Sequence, residues 1–265
     1  MEAVIRDYKT LQYSERNGVA WITLNRPEVL NAFDVTMMRE LHECWRGLRD
    51  NDDVNAVVLS GAQDKAFCTG LDRSAVDSLG PAANYDEPGN WLPPKTAGEL
   101  WKPVIAAVNG MACGGAFYLL GEADIIIAAE HATFFDPHTT YGMAAVFEPM
   151  MMLQRMPIGE VLRMSLMGAH ERMSAQRAHE IGLVQEVVPG AQLAEAARHV
   201  AETIASQPPV AVQATVRAVW YAQELGYRQA LDVGKTLIQV GTSQDSLDAG
   251  QRVFASGRRP QWRLR

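Results

Sequence analysis

Apolar and polar positions alternate in two short runs, Lys9–Arg16 and Val19–Leu24, on either side of Asn17–Gly18. Period-two alternation across an Asn-Gly pair predicts a hairpin, because Asn and Gly tolerate the positive φ values of its tight turn. From Asp34 the period changes. Met38, Leu41, Trp45 and Leu48 recur at helical spacing, and Asp34 is placed to cap a helix running to about Asn51. Continuous apolar runs at Asn55–Ser60, Val104–Val108 and Asp124–Ala129 predict buried strands, with Val184–Val188 as a later short one. Ala66–Asp72 is expected to be a loop, followed by a short helix near Arg73–Leu79. Gly80–Gly98 is rich in Pro, Gly and Asn and is expected to form a long surface loop, able through Tyr85, Trp91 and Leu92 to cover a pocket. Gly114–Leu120 opens a helix.

Beyond about residue 142 the pattern turns helical. Ser174 caps Ala175–Glu180, and Gly182 follows at the C′ position. Ala191–Ser206, Val210–Glu224, Arg228–Val240 and Asp245–Ala255 complete the helices, with Pro208–Pro209 breaking the first from the second. Strands separated by helices predict an α/β layered core, here over 1–195, with a helical C-terminal region over 196–265.

The chain has 265 residues, 48% of them hydrophobic, and a formal net charge of −7. It can bury a large core. Its acidity speaks against nucleic-acid or anionic-membrane partners, which need a basic face. The apolar runs are too short to span a bilayer. Three cysteines, Cys44, Cys68 and Cys113, without paired metal-ligand spacing predict neither a disulfide framework nor a metal site. The charged N-terminus lacks the apolar stretch of a signal peptide, and a reducing cytoplasm is expected.

Two glycine motifs carry the chemistry. In Ala66-Phe67-Cys68-Thr69-Gly70-Leu71-Asp72, Gly70 allows a sharp turn that can aim the Leu71 N–H at a ligand. In Asn109-Gly110-Met111-Ala112-Cys113-Gly114-Gly115-Ala116, adjacent glycines leave the Gly115 N–H unobstructed at a helix start. Two such donors aimed at one point make an oxyanion hole.

In this order the motifs resemble the crotonase family, the enoyl-CoA hydratase/isomerase group. Further carriers are Ile22–Pro27 with Leu30–Phe33, Lys102–Gly110, Ala123–Ile125, and Ser174–Gln176 with Gly182–Val184. The resemblance implies a spiral of ββα units with a helical C-terminal trimerisation region, and a homotrimer or dimer of trimers. It implies an acyl-CoA substrate and no separate cofactor. Its thioester oxygen would sit on the Leu71 and Gly115 N–H groups, with Pro27, Glu28, Val29, Leu30, Ala66 and Asp72 along the CoA arm.

The family's two catalytic Glu positions are occupied here by Tyr118 and His138. His138 can exchange a proton near neutral pH. A downstream carboxylate, Glu148, could orient it, as in a family member that hydrolyses carbon–carbon bonds of diketones. Tyr118 could donate a hydrogen bond, and Asp136 is a third option. Cys68 and Cys113 read as small buried thiols. Met143, Phe147, Met150, Met151, Met152 and Met156 suit helix core or an acyl pocket. The expected activity is that of an enoyl-CoA hydratase-like lyase in fatty acid metabolism. The alternatives are double-bond isomerisation, carbon–carbon hydrolysis, or acyl-CoA binding without catalysis.

Overall fold

A computed structural model describes residues 4–75, 88–257 and 262–264. The chain divides into two compact units, Met1–Ala205 and Ser206–Arg265.

In the first unit the Asn-Gly signal forms as expected. Strands β2 (Leu11–Arg16) and β3 (Val19–Leu24) pair antiparallel, from Leu11 opposite Leu24 to Arg16 opposite Val19. Asn17 and Gly18 take φ of 53° and 72°. Strand β1 (Val4–Asp7) pairs outside β2. Its four residues are too few for alternation to announce a strand. Helix α1 (Val35–Arg49) starts at Asp34, whose carboxylate accepts from the Met37 N–H at 2.8 Å, and buries Met38, Leu41, Trp45 and Leu48.

The chain then winds between two sheets. Strand β4 (Ala56–Gly61) joins the large sheet and β5 (Ala66–Cys68) a small one. β6 (Val104–Val108) and β7 (Met111–Cys113) repeat this step, with helix α2 (Ala116–Leu120) following. β8 (Ile125–Ala129) and β9 (Thr133–Phe135) repeat it again. With β10 (Met173–Ser174) and β11 (Glu186–Val188), the large sheet runs β1-β2-β3-β4-β6-β8-β11 and the small one β10-β9-β7-β5. From β3 to β11 every neighbouring pair of the large sheet is parallel. Such strands are buried on both faces, which is why they read as unbroken apolar runs. This α/β spiral is the fold class expected from the sequence.

Helices α3 (Phe147–Leu153), α4 (Ile158–Met167), α5 (Ala175–Glu180) and α6 (Leu193–Ala205) complete the unit. Ser174 accepts from the Arg177 N–H at the start of α5, as its capping position requires. α6 packs on the large sheet, with Ala197 and Ala201 sealed against Val58, Ile105 and Ile127. The compact unit therefore runs to Ala205, ten residues past the boundary expected at 195. The second unit holds α7 (Pro209–Glu224), α8 (Tyr227–Gly241) and α9 (Gln244–Ala255).

Three local expectations change. Ala66–Asp72 is not wholly loop, since it begins with the three-residue strand β5. The described part of Gly80–Gly98 is not a surface loop. Leu92, Pro93, Pro94 and Lys95 are buried, and the Trp45 indole N–H donates to the Leu92 carbonyl at 2.8 Å. Only Trp91 of the expected cover is exposed, while Tyr85 lies outside the described residues. Of the helix expected over 73–79, residues 73–75 form a 3-10 turn and the rest lie outside the described residues.

Candidate active site

The first glycine motif is held by buried amides. Asn31, φ 56° and buried, donates from Nδ2 to the Ala66 carbonyl at 2.8 Å and the Ala62 carbonyl at 3.0 Å. Asn109 donates to the same Ala66 carbonyl at 3.1 Å and accepts from the Gly61 N–H at 2.9 Å. Beyond β5, Phe33 and Leu71 form an isolated parallel bridge. The Phe33 N–H donates to the Gly70 carbonyl and the Asp72 N–H to the Phe33 carbonyl, both at 2.9 Å. In a parallel ladder the residue between those two bonds faces the other way. The Leu71 N–H is therefore turned from Phe33, and it donates to no carbonyl among the described residues.

Strand β7 carries the second motif. Gly114 has φ 53°, and Gly115 caps α2. The Gly115 N–H likewise meets no carbonyl among the described residues. The two motifs touch. A Cβ on Gly70, φ 84°, would lie 2.9 Å from the Gly115 nitrogen and 3.3 Å from the Cys113 carbonyl. A Cβ on Gly115 would lie 2.6 Å from the Phe33 ring. Only glycine at both positions lets these backbones close up without a side-chain clash.

The third component stands beside this pair. After β9, Asp136-Pro137-His138 makes an Asx turn, in which Asp136 Oδ1 accepts from the His138 backbone N–H at 3.2 Å. The same oxygen takes His138 Nδ1 at 2.5 Å. A carboxylate oxygen only accepts, so Nδ1 carries the hydrogen and Nε2 is left to exchange a proton. Nε2 lies 3.6 Å from Glu148 Oε1. His138 Cε1 would be 3.6 Å from a Cβ on Gly114, so the ring borders the residue before the second donor.

Both carboxylates are buried. Asp136 is wholly enclosed, and Glu148 is 5% exposed in the first turn of α3 rather than solvated. Asp136 Oδ2 is buried without a hydrogen-bond partner among the described residues. His138 and Glu148 thus meet as anticipated, but the group on Nδ1 is Asp136. Glu148 faces the other nitrogen, which corrects its expected role as the orienting carboxylate. The Asp-x-His spacing was the sequence signal for this Asx turn.

The remaining site residues are less uniform. Tyr118 is buried in α2, with Gly89 packed on its ring. Pro27, Glu28 and Val29 form a 3-10 turn ending at Leu30, φ 56°. Ala66 is buried in β5, where its carbonyl is the anchor just described. Asp72 accepts from the Ser74 hydroxyl at 2.7 Å and pairs with Arg26 at 2.9 Å. Those bonds, Ser74 first, hold its carboxyl below the usual range. Arg26 also donates to the Ala32 carbonyl at 2.7 Å. It ties the Pro27 turn to the Leu71 loop, a link that sequence alone did not suggest.

Cys68 and Cys113 flank the two donors as buried thiols, both pushed up to about 12 by desolvation. Neutral thiols of this kind are poor nucleophiles. Of the methionine group, Met152 and Met156 lie in the core, whereas Met143, Phe147 and Met150 are exposed. Among the described residues no helix is long and apolar enough to cross a membrane.

The family model for enoyl-CoA hydratase/isomerase matches residues 14–265. The chain is 35% identical to the (E)-benzylidenesuccinyl-CoA hydratase of Thauera aromatica, covering 96% of this chain and 98% of that one. It is 31% identical to the carnitinyl-CoA dehydratase of Proteus mirabilis, over 97% and 99% of the two chains. An enoyl-CoA hydratase/isomerase structure from Mycobacterium paratuberculosis superposes with a TM-score of 0.85 at 36% identity, covering 98% of this chain and all of that one. The spiral of paired strands, the touching glycine motifs and these matches along nearly its whole length agree: the chain belongs to the enoyl-CoA hydratase/isomerase family.

Proposed function

We propose that this protein is a lyase that adds water to, or removes it from, an acyl-CoA thioester. The relatives named as a hydratase and a dehydratase of CoA thioesters support the reaction class. The observation that carries the reading is His138, held between two buried carboxylates beside the Gly114–Gly115 turn. The Leu71 and Gly115 N–H groups receive the thioester oxygen. Each such donor contributes about 3–4 kcal/mol where negative charge develops.

The proton chemistry follows from the ring's two sides. Nε2 and Glu148 Oε1 are 3.6 Å apart, so one water can hydrogen-bond to both. Glu148 takes a proton from that water as its oxygen bonds to the β-carbon. The electron pair of the double bond moves onto the thioester oxygen as an enolate. Protonated His138 then gives its Nε2 proton to the α-carbon, and Glu148 returns a proton to the ring. Asp136 is a positioning residue that fixes the tautomer and orientation of the ring. Dehydration is the reverse. No cofactor beyond the CoA of the substrate enters.

Tyr118 is assigned to the wall of the site, with its phenol as a hydrogen-bond donor, and Tyr118→Phe tests that. The turn at Pro27, Glu28, Val29 and Leu30, with Ala66 and Asp72, is assigned to the CoA arm. A homotrimer or dimer of trimers, measured by light scattering, and a cytoplasmic location complete the proposal.

The test is hydration of a panel of trans-2-enoyl-CoA thioesters, followed by loss of the conjugated absorbance and by product mass. His138→Ala and Glu148→Gln should each lower kcat at least about hundredfold. Isomerised product without any hydrated product would overturn the lyase assignment. Ligand binding with no turnover of any thioester would overturn catalysis altogether.

A further inference from the structure

Arg73 stands two residues past Leu71, on the turn that leaves the first donor. Its guanidinium lies over the Tyr141 ring, 3.9 Å from the centroid. Tyr141 ends the 3-10 turn His138–Tyr141. The stack therefore joins the loop of the first donor to the turn of the proton-transfer residue.

Both ends are fixed. Asp72 accepts from the Ser74 N–H at 3.0 Å and pairs with Arg26 at 2.9 Å, holding the Arg73 turn. Thr139 donates to the Ser165 carbonyl at 2.7 Å, and Thr140 accepts from the Ala169 N–H at 2.8 Å, holding the Tyr141 turn. Asp72, the nearest carboxylate in sequence, is engaged with Arg26 and Ser74. Among the described residues Arg73 has no carboxylate partner.

A guanidinium stacked on an aromatic ring keeps its edge N–H groups free for planar, bidentate recognition of an anion. Two residues of extended chain span at most about 7 Å. A substituent a few carbons beyond a thioester held at Leu71 lies on the same length scale as that span.

We infer that Arg73, pinned by Tyr141, selects acyl-CoA thioesters whose acyl group carries a second carboxylate. The inference rests on the thioester site proposed above and names its substrate class. Arg73 is then a specificity residue, while His138 and Glu148 act on the carbons between it and the thioester.

The test separates this from the reaction itself by using saturated thioesters, which bind without turnover. Calorimetry compares glutaryl-CoA, which has a terminal carboxylate, with valeryl-CoA, which has the same chain length and none. The wild-type protein should bind glutaryl-CoA about tenfold more tightly or better, as a charged hydrogen bond allows. Arg73→Gln should bring the ratio near one, and Arg73→Lys should restore part of it. Equal affinities in the wild-type protein would overturn the inference. So would equal weakening of both thioesters and of free CoA by Arg73→Gln, which would assign the guanidinium to a CoA phosphate. Hydration of uncharged enoyl-CoA thioesters without any glutaryl preference would sink the inference and leave the lyase reading standing. A glutaryl preference without turnover would do the reverse.

Discussion

Replacing Gly70 by Ala tests whether the two donors act as a pair. The new Cβ would lie 2.9 Å from the Gly115 nitrogen. Ordinary non-bonded contact is roughly 3.5 Å, so one of the two backbones must move by about 0.6 Å. Productive site geometry tolerates displacements of about 0.5 Å, and a 1 Å misplacement can cost about a hundredfold. We therefore expect kcat to fall roughly ten- to hundredfold, with KM changed far less. The φ of 84° adds a backbone cost of roughly 1–2 kcal/mol for a non-glycine residue. Gly182→Ala isolates that second effect. Gly182 has φ 87°, and its Cβ would meet nothing within 4 Å among the described residues. It should lose similar stability from backbone strain and keep full activity. The assay is steady-state hydration beside thermal unfolding of both variants. A folded Gly70→Ala protein with wild-type kcat would refute the paired-donor geometry. Equal loss of activity in both variants would show that strain alone, not the approach to Gly115, was responsible.

Asp136→Asn keeps the size of the side chain but can offer an N–H to Nδ1, which moves the ring hydrogen to Nε2. A kcat loss of about a hundredfold or more with little change in Tm is expected, and unchanged kcat and pH profile would reject the positioning role. Asn31→Ala strips a donor from the Ala62 and Ala66 carbonyls and should cost about 2–3 kcal/mol in denaturant unfolding. Cys44, Cys68 and Cys113 are each pushed up from 9.0 to about 12 by burial. The unfolded chain releases these protons from about pH 9 while the folded one retains them. The thiols' contribution to stability is thus complete below pH 9 and is lost as pH rises toward 12, which unfolding measured across that range checks. At pH 8 a thiol reagent should label the native protein only after denaturant is added.

Most of the large sheet, though not the four-residue β1 at its edge, was legible in the sequence because its central strands are long enough, and apolar enough, to be read one by one. β4, β6 and β8 are five or six residues each and bounded by polar or glycine punctuation. The small sheet was not legible. β5, β7 and β9 have three residues each, shorter than any period a pattern can repeat. Their existence depends on pairing with one another, a tertiary fact. The same holds for residues 92–95. Their Pro-rich composition reads as surface loop, but Trp45 on α1 binds the Leu92 carbonyl and draws the segment into the core.

The site divides along the same physical line. The glycine motifs were visible because a positive φ and a close backbone approach demand a particular residue type, and sequence records residue type. Which carboxylate holds His138 was not visible in that way. Asp136 and Glu148 are both acids near the histidine in sequence, and residue type does not rank them. The ranking comes from the Pro137 turn, which fixes one Asp136 oxygen on both the backbone N–H and the Nδ1 of His138. With Nδ1 taken, only Nε2 can face Glu148. A half-buried histidine between two buried carboxylates gives the family scaffold one proton donor and one acceptor. On the proposed mechanism that pair does the work of the two glutamates absent from positions 118 and 138, so the oxyanion half of the site can stay unchanged while its acid–base half is rebuilt.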